Sequence, residues 1–224
     1  MCMNINQHSV TAKDSELHSL DVRGVYVYIY VKRIVDIVII VLFSPFWLLI
    51  GMVLAVIVKA TSKGPVFFVQ KRYGRNRKIF LIYKFRSMYV DAPSEVPTHL
   101  LHNPQVYITP FGRFLRKSSL DELPQVINII KGELSLVGPR PALWNQEDLI
   151  AEREKHGANN VSVGLTGLAQ IKGRDELPID IKAYYDGEYA RSIGFMLDVR
   201  ILFRTVINIL SGHGVKECGP KNGQ

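Results

Sequence analysis

Two adjacent acids, Asp121 and Glu122, stand in the stretch SSLDELPQVINIIKGELSLVGPRP (Ser118–Pro141), and bases surround them on every side in sequence. Arg113, Arg116 and Lys117 precede the acids. Gly138-Pro139-Arg140-Pro141 follows, a rigid turn that would fix the direction of one arginine. Arg174 closes a second glycine turn, Lys172-Gly173-Arg174, and Lys84-Phe85-Arg86 puts two bases on one face of a strand. Fixed cations converging on two carboxylates suit a diphosphate accompanied by a divalent metal. A plainer assignment competes. Pro124 is tolerated only in a helix's first turn, so a helix should start near Asp121, with Ser119 and Glu122 spelling a capping box. The acids by themselves leave both assignments open.

The elements needed to hold those residues read as α+β. Val66–Gln70 and Phe80–Phe85 predict short strands around Gly74, and Ala92–Pro104 a loop. Helices are expected within Ser118–Lys131 and over Trp144–His156, Ile179–Ala190 and Leu197–Leu210, with strand or loop over Val163–Gly173. In the last helix Arg200, Arg204, Asn208 and Ser211 form one narrow polar stripe on an otherwise apolar surface. Such a helix is either buried or lies in a membrane interface.

Composition excludes several classes. The chain has 224 residues, 47% of them hydrophobic and 21% charged, too apolar for a disordered protein. Cys2 and Cys218 stand near opposite ends, which argues against a disulfide framework or a cysteine-based zinc site. The six histidines show no ligand spacing, His99 and His102 included. Tyr184, Tyr185 and Tyr189 read as packing or interfacial residues.

The hydrophobicity is concentrated. Ile37–Val58 is a run of 22 residues without a charge, long enough for a bilayer core of roughly 30 Å. Its polar, acid-containing prelude and the lack of an Ala-x-Ala site do not fit a cleaved signal peptide. Ser44 and Pro45 interrupt the run, where a helix must bend or break. Both flanks are basic, with Lys32 and Arg33 before and Lys59, Lys63, Lys71 and Arg72 after. A segment entering and leaving by one face fits, as does a kinked spanning helix.

Positive charge is concentrated next to it. The net charge is +8, and nine bases with no acid lie between Lys59 and Val90. They suit anionic lipid headgroups or a phosphate pocket. The adjoining membrane segment argues against nucleic acid as the partner.

Taken together and in order, five blocks resemble the bacterial sugar transferases of the monotopic phosphoglycosyl transferase family, in their minimal form. They are the Ser44-Pro45-broken apolar segment, YKFRSM (Tyr83–Met88), GRFLRKSSLDELPQ (Gly112–Gln125), LSLVGPRP (Leu134–Pro141) and GLTGLAQIKGR (Gly164–Arg174). The resemblance implies transfer of a sugar-1-phosphate from a UDP-sugar to undecaprenyl phosphate, with UMP released, as the first step of a surface polysaccharide. It implies a re-entrant helix broken at Ser44-Pro45 in the bacterial inner membrane, with a mixed catalytic domain and interfacial helices on the cytoplasmic face. Asp121 becomes the nucleophile and Glu122 a Mg²⁺ ligand. Arg116, Arg140 and Arg174, then Lys84 and Arg86, become the phosphate or nucleotide contacts, and the cations should keep Asp121 ionised. The expected division is a polar tail over 1–24, the membrane segment over 25–60, the catalytic domain over 61–212 and a flexible tail over 213–224, with a homo-oligomer possible. The competing function is a non-catalytic scaffold anchored to lipid or to a glycan-assembly partner. Two departures stand out: Ser162-Val163 precede Gly164 where Arg-Pro is common, and Leu168 replaces a common Trp.

Overall fold

The computed structural model describes residues 27–93, 101, 103–173 and 177–211. Arg174, His99, His102 and the two expected tails therefore lie outside the described residues.

The apolar run is two helices, not one. The first, α1, covers 27–42, and α2 covers Ser44–Thr61. The break falls at Phe43, whose φ/ψ of −91°/7° leave the helical region, one residue before the expected point. Ser44 and Pro45 belong to the first turn of α2, where a proline's missing N–H costs nothing. Trp47 ties the two arms together by donating its indole N–H to the Ile40 carbonyl at 2.9 Å. Of the apolar stretch in α2 only 11% is buried, with Phe46, Leu49, Met52, Val53 and Val56 all exposed. Among the described residues this helix has no partners around most of its circumference, unlike the core helix of a soluble domain.

Both arms nonetheless dock on the domain that follows. From α1, Lys32 bonds Asp198 at 2.5 Å, Asp36 accepts from the Ser135 hydroxyl at 2.6 Å, and Arg33 donates to the Ile129 and Ile130 carbonyls. From α2, Leu54 and Val58 pack with Phe85 and Leu115.

That domain is α+β, as expected. Strands β1 (Phe67–Tyr73) and β2 (Ile79–Phe85) form an antiparallel hairpin whose end pairs are Phe67 with Phe85 and Tyr73 with Ile79. Helix α3 (Pro110–Lys117) starts where the Thr109 side chain accepts from the Gly112 amide at 2.9 Å. A 3₁₀ helix (Leu120–Gln125) runs into α4 (Val126–Lys131). Strand β3 (Ser135–Val137) pairs in parallel with β4 (Gly164–Thr166), and α5 (Glu147–Lys155) lies between them in the chain. Helices α6 (Leu168–Lys172), α7 (Ile179–Arg191) and α8 (Phe195–Leu210) complete it.

The β3–β4 pair comes too close for side chains just past β3. A Cβ on Gly138 would lie 2.2 Å from the Ser162 carbonyl, and one on Gly164 2.1 Å from the Gly138 amide. Glycine at both positions is a packing requirement. Helix α8 is half in and half out of the core. Asp198 and Ile201 are buried, while Phe195, Met196, Phe203, Val206 and Leu210 are exposed.

Candidate active site

Asp121 and Glu122 sit in the 3₁₀ helix, and the capping assignment does not hold. Ser119 is in the left-handed region (φ 57°) and its side chain makes no capping bond. The Glu122 carboxylate turns to the cations instead of returning to Ser119. Its Oε1 accepts from Lys84 Nζ at 2.7 Å and from Arg140 Nη2 at 2.9 Å. Three segments distant in sequence thus meet at one oxygen: the end of β2, the 3₁₀ helix and the Gly138–Pro141 turn.

Their approach has a visible cause in Asn128, which is fully buried. Its amide nitrogen donates to the Leu81 carbonyl at 2.7 Å, and its oxygen accepts from the Tyr83 amide at 3.1 Å. The side chain thus continues β2's hydrogen bonding from α4 and presses the 3₁₀ helix against the strand beside Lys84. Phe80, Ile82, Val126 and Ile129 fill the space between.

Burial raises both neighbouring carboxylates, yet their net shifts are opposite. Burial pushes Glu122 up, but the charges of Arg140 and Lys84, with their hydrogen bonds, outweigh it and hold the group well below the usual carboxylate range. For Asp121, burial prevails. It raises the pKa above the ordinary aspartate value, Lys84 pulls it back, Glu122 adds to the rise, and Arg116 and Arg140 oppose it. Removal from water is thus the largest influence on Asp121, and the cations around it offset only part of that rise.

The expected phosphate contacts separate into two groups. Lys84 and Arg140 engage Glu122 directly, and Arg116, in the last turn of α3, acts on Asp121 through its charge. Arg86 follows another course. Its Nη2 donates to the Ser62 carbonyl and hydroxyl at 2.8 and 2.7 Å, which ties the exit of α2 to the hairpin. Arg86 is 5% exposed, and its buried Nε and Nη1 have no acceptor among the described residues. Lys84 points to the acids and Arg86 to the end of α2 because β2 ends at Phe85, between them.

Sequence reasoning missed Gln125 as well as Asn128. Gln125 lies four residues after Asp121, is 2% exposed, and carries a buried amide nitrogen with no acceptor among the described residues. A polar residue at a helical position otherwise taken by Val126 and Ile129 was the only available signal.

This geometry can bind and polarise an anion beside a carboxylate freed from capping. The sequence profile described as bacterial sugar transferase matches residues 27–212. The chain belongs to the bacterial sugar transferase family. Within that family it is 40% identical over 161 residues to an uncharacterised sugar transferase, EpsL, of Bacillus subtilis, covering 72% of this chain and 78% of that one. It is 40% identical over 186 residues to a UDP-glucose:undecaprenyl-phosphate glucose-1-phosphate transferase of Klebsiella pneumoniae, covering 78% of this chain and 39% of the relative. It is 36% identical over 166 residues to an undecaprenyl-phosphate galactose phosphotransferase of Salmonella typhimurium, covering 67% and 34%. The chain therefore spans little more than a third of those two enzymes.

Proposed function

We propose that this protein is a phosphoglycosyl transferase that moves a sugar-1-phosphate from a UDP-sugar to undecaprenyl phosphate through an intermediate on Asp121. The observation that carries this is the contrast between the two acids. Glu122 is fixed by Lys84 and Arg140 on one oxygen, while the adjacent Asp121 is buried among the same cations with its pKa raised.

The chemistry follows from charge. Donor and acceptor are both anions, and direct attack would bring them together. In the first step an Asp121 oxygen bonds to the sugar-bearing phosphorus as the anhydride bond to UMP breaks. In the second an oxygen of undecaprenyl phosphate bonds to that phosphorus and the carboxylate leaves. Splitting the transfer turns one difficult encounter into two. Arg140, Lys84 and Arg116 stabilise charge developing on the phosphoryl oxygens.

Mg²⁺ fits the donor set. Two adjacent carboxylates with substrate phosphate oxygens and water are the ligands this ion favours, and both cations on Glu122 bond the same oxygen, leaving Oε2 for a metal. When bound, the ion would neutralise charge on the diphosphate.

The membrane part serves the acceptor, whose phosphate lies at headgroup level. We read α1 and α2 as a re-entrant pair in the inner membrane, with the catalytic domain and α8 on the cytoplasmic face. Supporting this are the break at Phe43 and the docking of both arms on one domain. Labelling Cys2, and separately a cysteine placed at Lys63, with an impermeant reagent should find both on the same side, and opposite sides would sink the re-entrant reading.

The deciding experiment supplies purified protein with Mg²⁺, undecaprenyl phosphate and a panel of UDP-sugars and records UMP release. Donor alone should leave a sugar-phosphate adduct on Asp121 by mass spectrometry. No UMP with any sugar, or an adduct persisting in Asp121→Asn, overturns the proposal.

A further inference from the structure

The turn that carries Arg140 is held at every carbonyl from Pro139 to Ala142, each by a different partner. The Pro139 carbonyl accepts from the Gly164 amide at 2.9 Å, and that of Ala142 from the Tyr73 amide at 2.9 Å. The Pro141 carbonyl accepts from Arg72 Nη1 at 3.0 Å. The carbonyl of Arg140 itself accepts from Arg153 Nη2 at 2.9 Å.

The last of these has an unusual foundation. Arg153, on α5, is 2% exposed and is locked to Asp186, on α7, which is 1% exposed. Its Nε and Nη2 reach one Asp186 oxygen at 2.8 and 2.6 Å. A charge pair this deep is a poor stabiliser, because desolvation offsets most of its attraction and apolar residues of the same volume do as well or better. Gluing α5 to α7 does not require it, since Leu149, Ile150 and Ala183 already pack together there. What apolar residues could not supply is a donor at a fixed point beneath the Arg140 carbonyl.

We infer that the Arg153–Asp186 pair is a positioning strut for Arg140, holding its peptide so that the guanidinium stands over Glu122 and the reacting phosphate. This rests on the transferase reading above. Prolines fix the backbone on both sides of Arg140, so its peptide plane has few remaining ways to swing, and the strut removes them. The side chain itself is about one third exposed, and without a held backbone it would sample water. Displacing a charge-stabilising group by about 1 Å costs on the order of 100-fold in rate.

The test is a double-mutant cycle on UMP release, with kcat and KM for the UDP-sugar measured on protein of verified melting behaviour. Asp186→Asn should lower kcat/KM by about 10- to 100-fold. In an Arg140→Gln background the same change should cost less than about 3-fold, because its target is gone. Costs that multiply in full across the cycle, or an Asp186→Asn enzyme with undiminished kcat/KM, would overturn the strut. Should Asp186→Asn fail to fold, the paired change Arg153→Met with Asp186→Leu, which strands no charge, enters the same cycle with the same expected outcomes. A silent wild-type enzyme is a different result and removes the transferase reading itself.

Discussion

Two buried charge clusters in this protein are built in opposite ways. At the junction of α1, α7 and α8, both oxygens of Asp198 are engaged. Oδ2 takes Lys32 and the Tyr28 hydroxyl at 2.5 and 2.7 Å, and Oδ1 takes the Tyr189 hydroxyl at 2.8 Å. Both carboxylate oxygens of Asp198 therefore have partners among the described residues. At the 3₁₀ helix the same ingredients are distributed unevenly. Glu122 concentrates two cations on one oxygen, while Asp121 is kept from water and pushed up in pKa. The first cluster ties α1 to the domain, and the second concentrates its bonds on one of two adjacent acids.

The sharpest break of that contrast is Asp121→Asn. It should lower UMP release by about 10,000-fold or more. Because burial disfavours the charge, the same variant should melt at the wild-type temperature or above it. A clear loss of melting temperature would make Asp121 another structural acid.

Asp198→Asn should do the reverse. It removes the acid that Lys32 bonds and leaves that buried ammonium only the nearby charge of Asp36, which costs up to about 3–5 kcal/mol of stability in a detergent-solubilised melt. Turnover per folded molecule should change little. Collapse of kcat in protein that is still folded would erase the distinction between the clusters.

Glu122→Gln belongs between the two. It should lower turnover and also cost about 1–3 kcal/mol, since Lys84 and Arg140 lose their shared acceptor charge. The pH dependence separates the neighbouring acids further. Glu122 is depressed, so its contribution to stability is complete above the unfolded value near 4.5 and is lost as pH falls through its lower native value. Asp121 is raised, so in the proposed mechanism protonation silences it at a higher pH than for an ordinary aspartate. The acid limb of kcat/KM should therefore have an apparent pKa above 3.8. A limb at or below 3.8 would mean that burial does not control Asp121. The smallest effect is expected at Arg191→Ala. Its pair with Glu188 is about half exposed on both sides, so stability should move by less than about 0.5 kcal/mol.

Much of the fold was legible. The hairpin about Gly74, helices α7 and α8 and the interruption near Pro45 follow from periodicity and from proline. Asp121 and Glu122 were marked by the density of bases around them, but capping and catalysis predict the same letters there. The turn of Arg86 to Ser62 was not legible, because strand alternation stops at Phe85, where β2 ends. Asn128, Arg153 and Asp186 gave little signal, because a buried polar residue inside a helix has the same spelling as an exposed one until its neighbours are known.

Sequence by itself determined that this chain carries a long uncharged segment interrupted by proline, a basic band beside it, and an acid pair among arginines. Those are properties of nearest neighbours and of totals, and they survive without coordinates. Only tertiary structure decided that Lys84 and Arg140, 56 positions apart, share one oxygen of Glu122, and that Asp121 sits deep enough for burial to outweigh the cations around it. Dielectric environment and hydrogen-bond partnership depend on what the rest of the chain excludes or delivers, and no local stretch of letters encodes them.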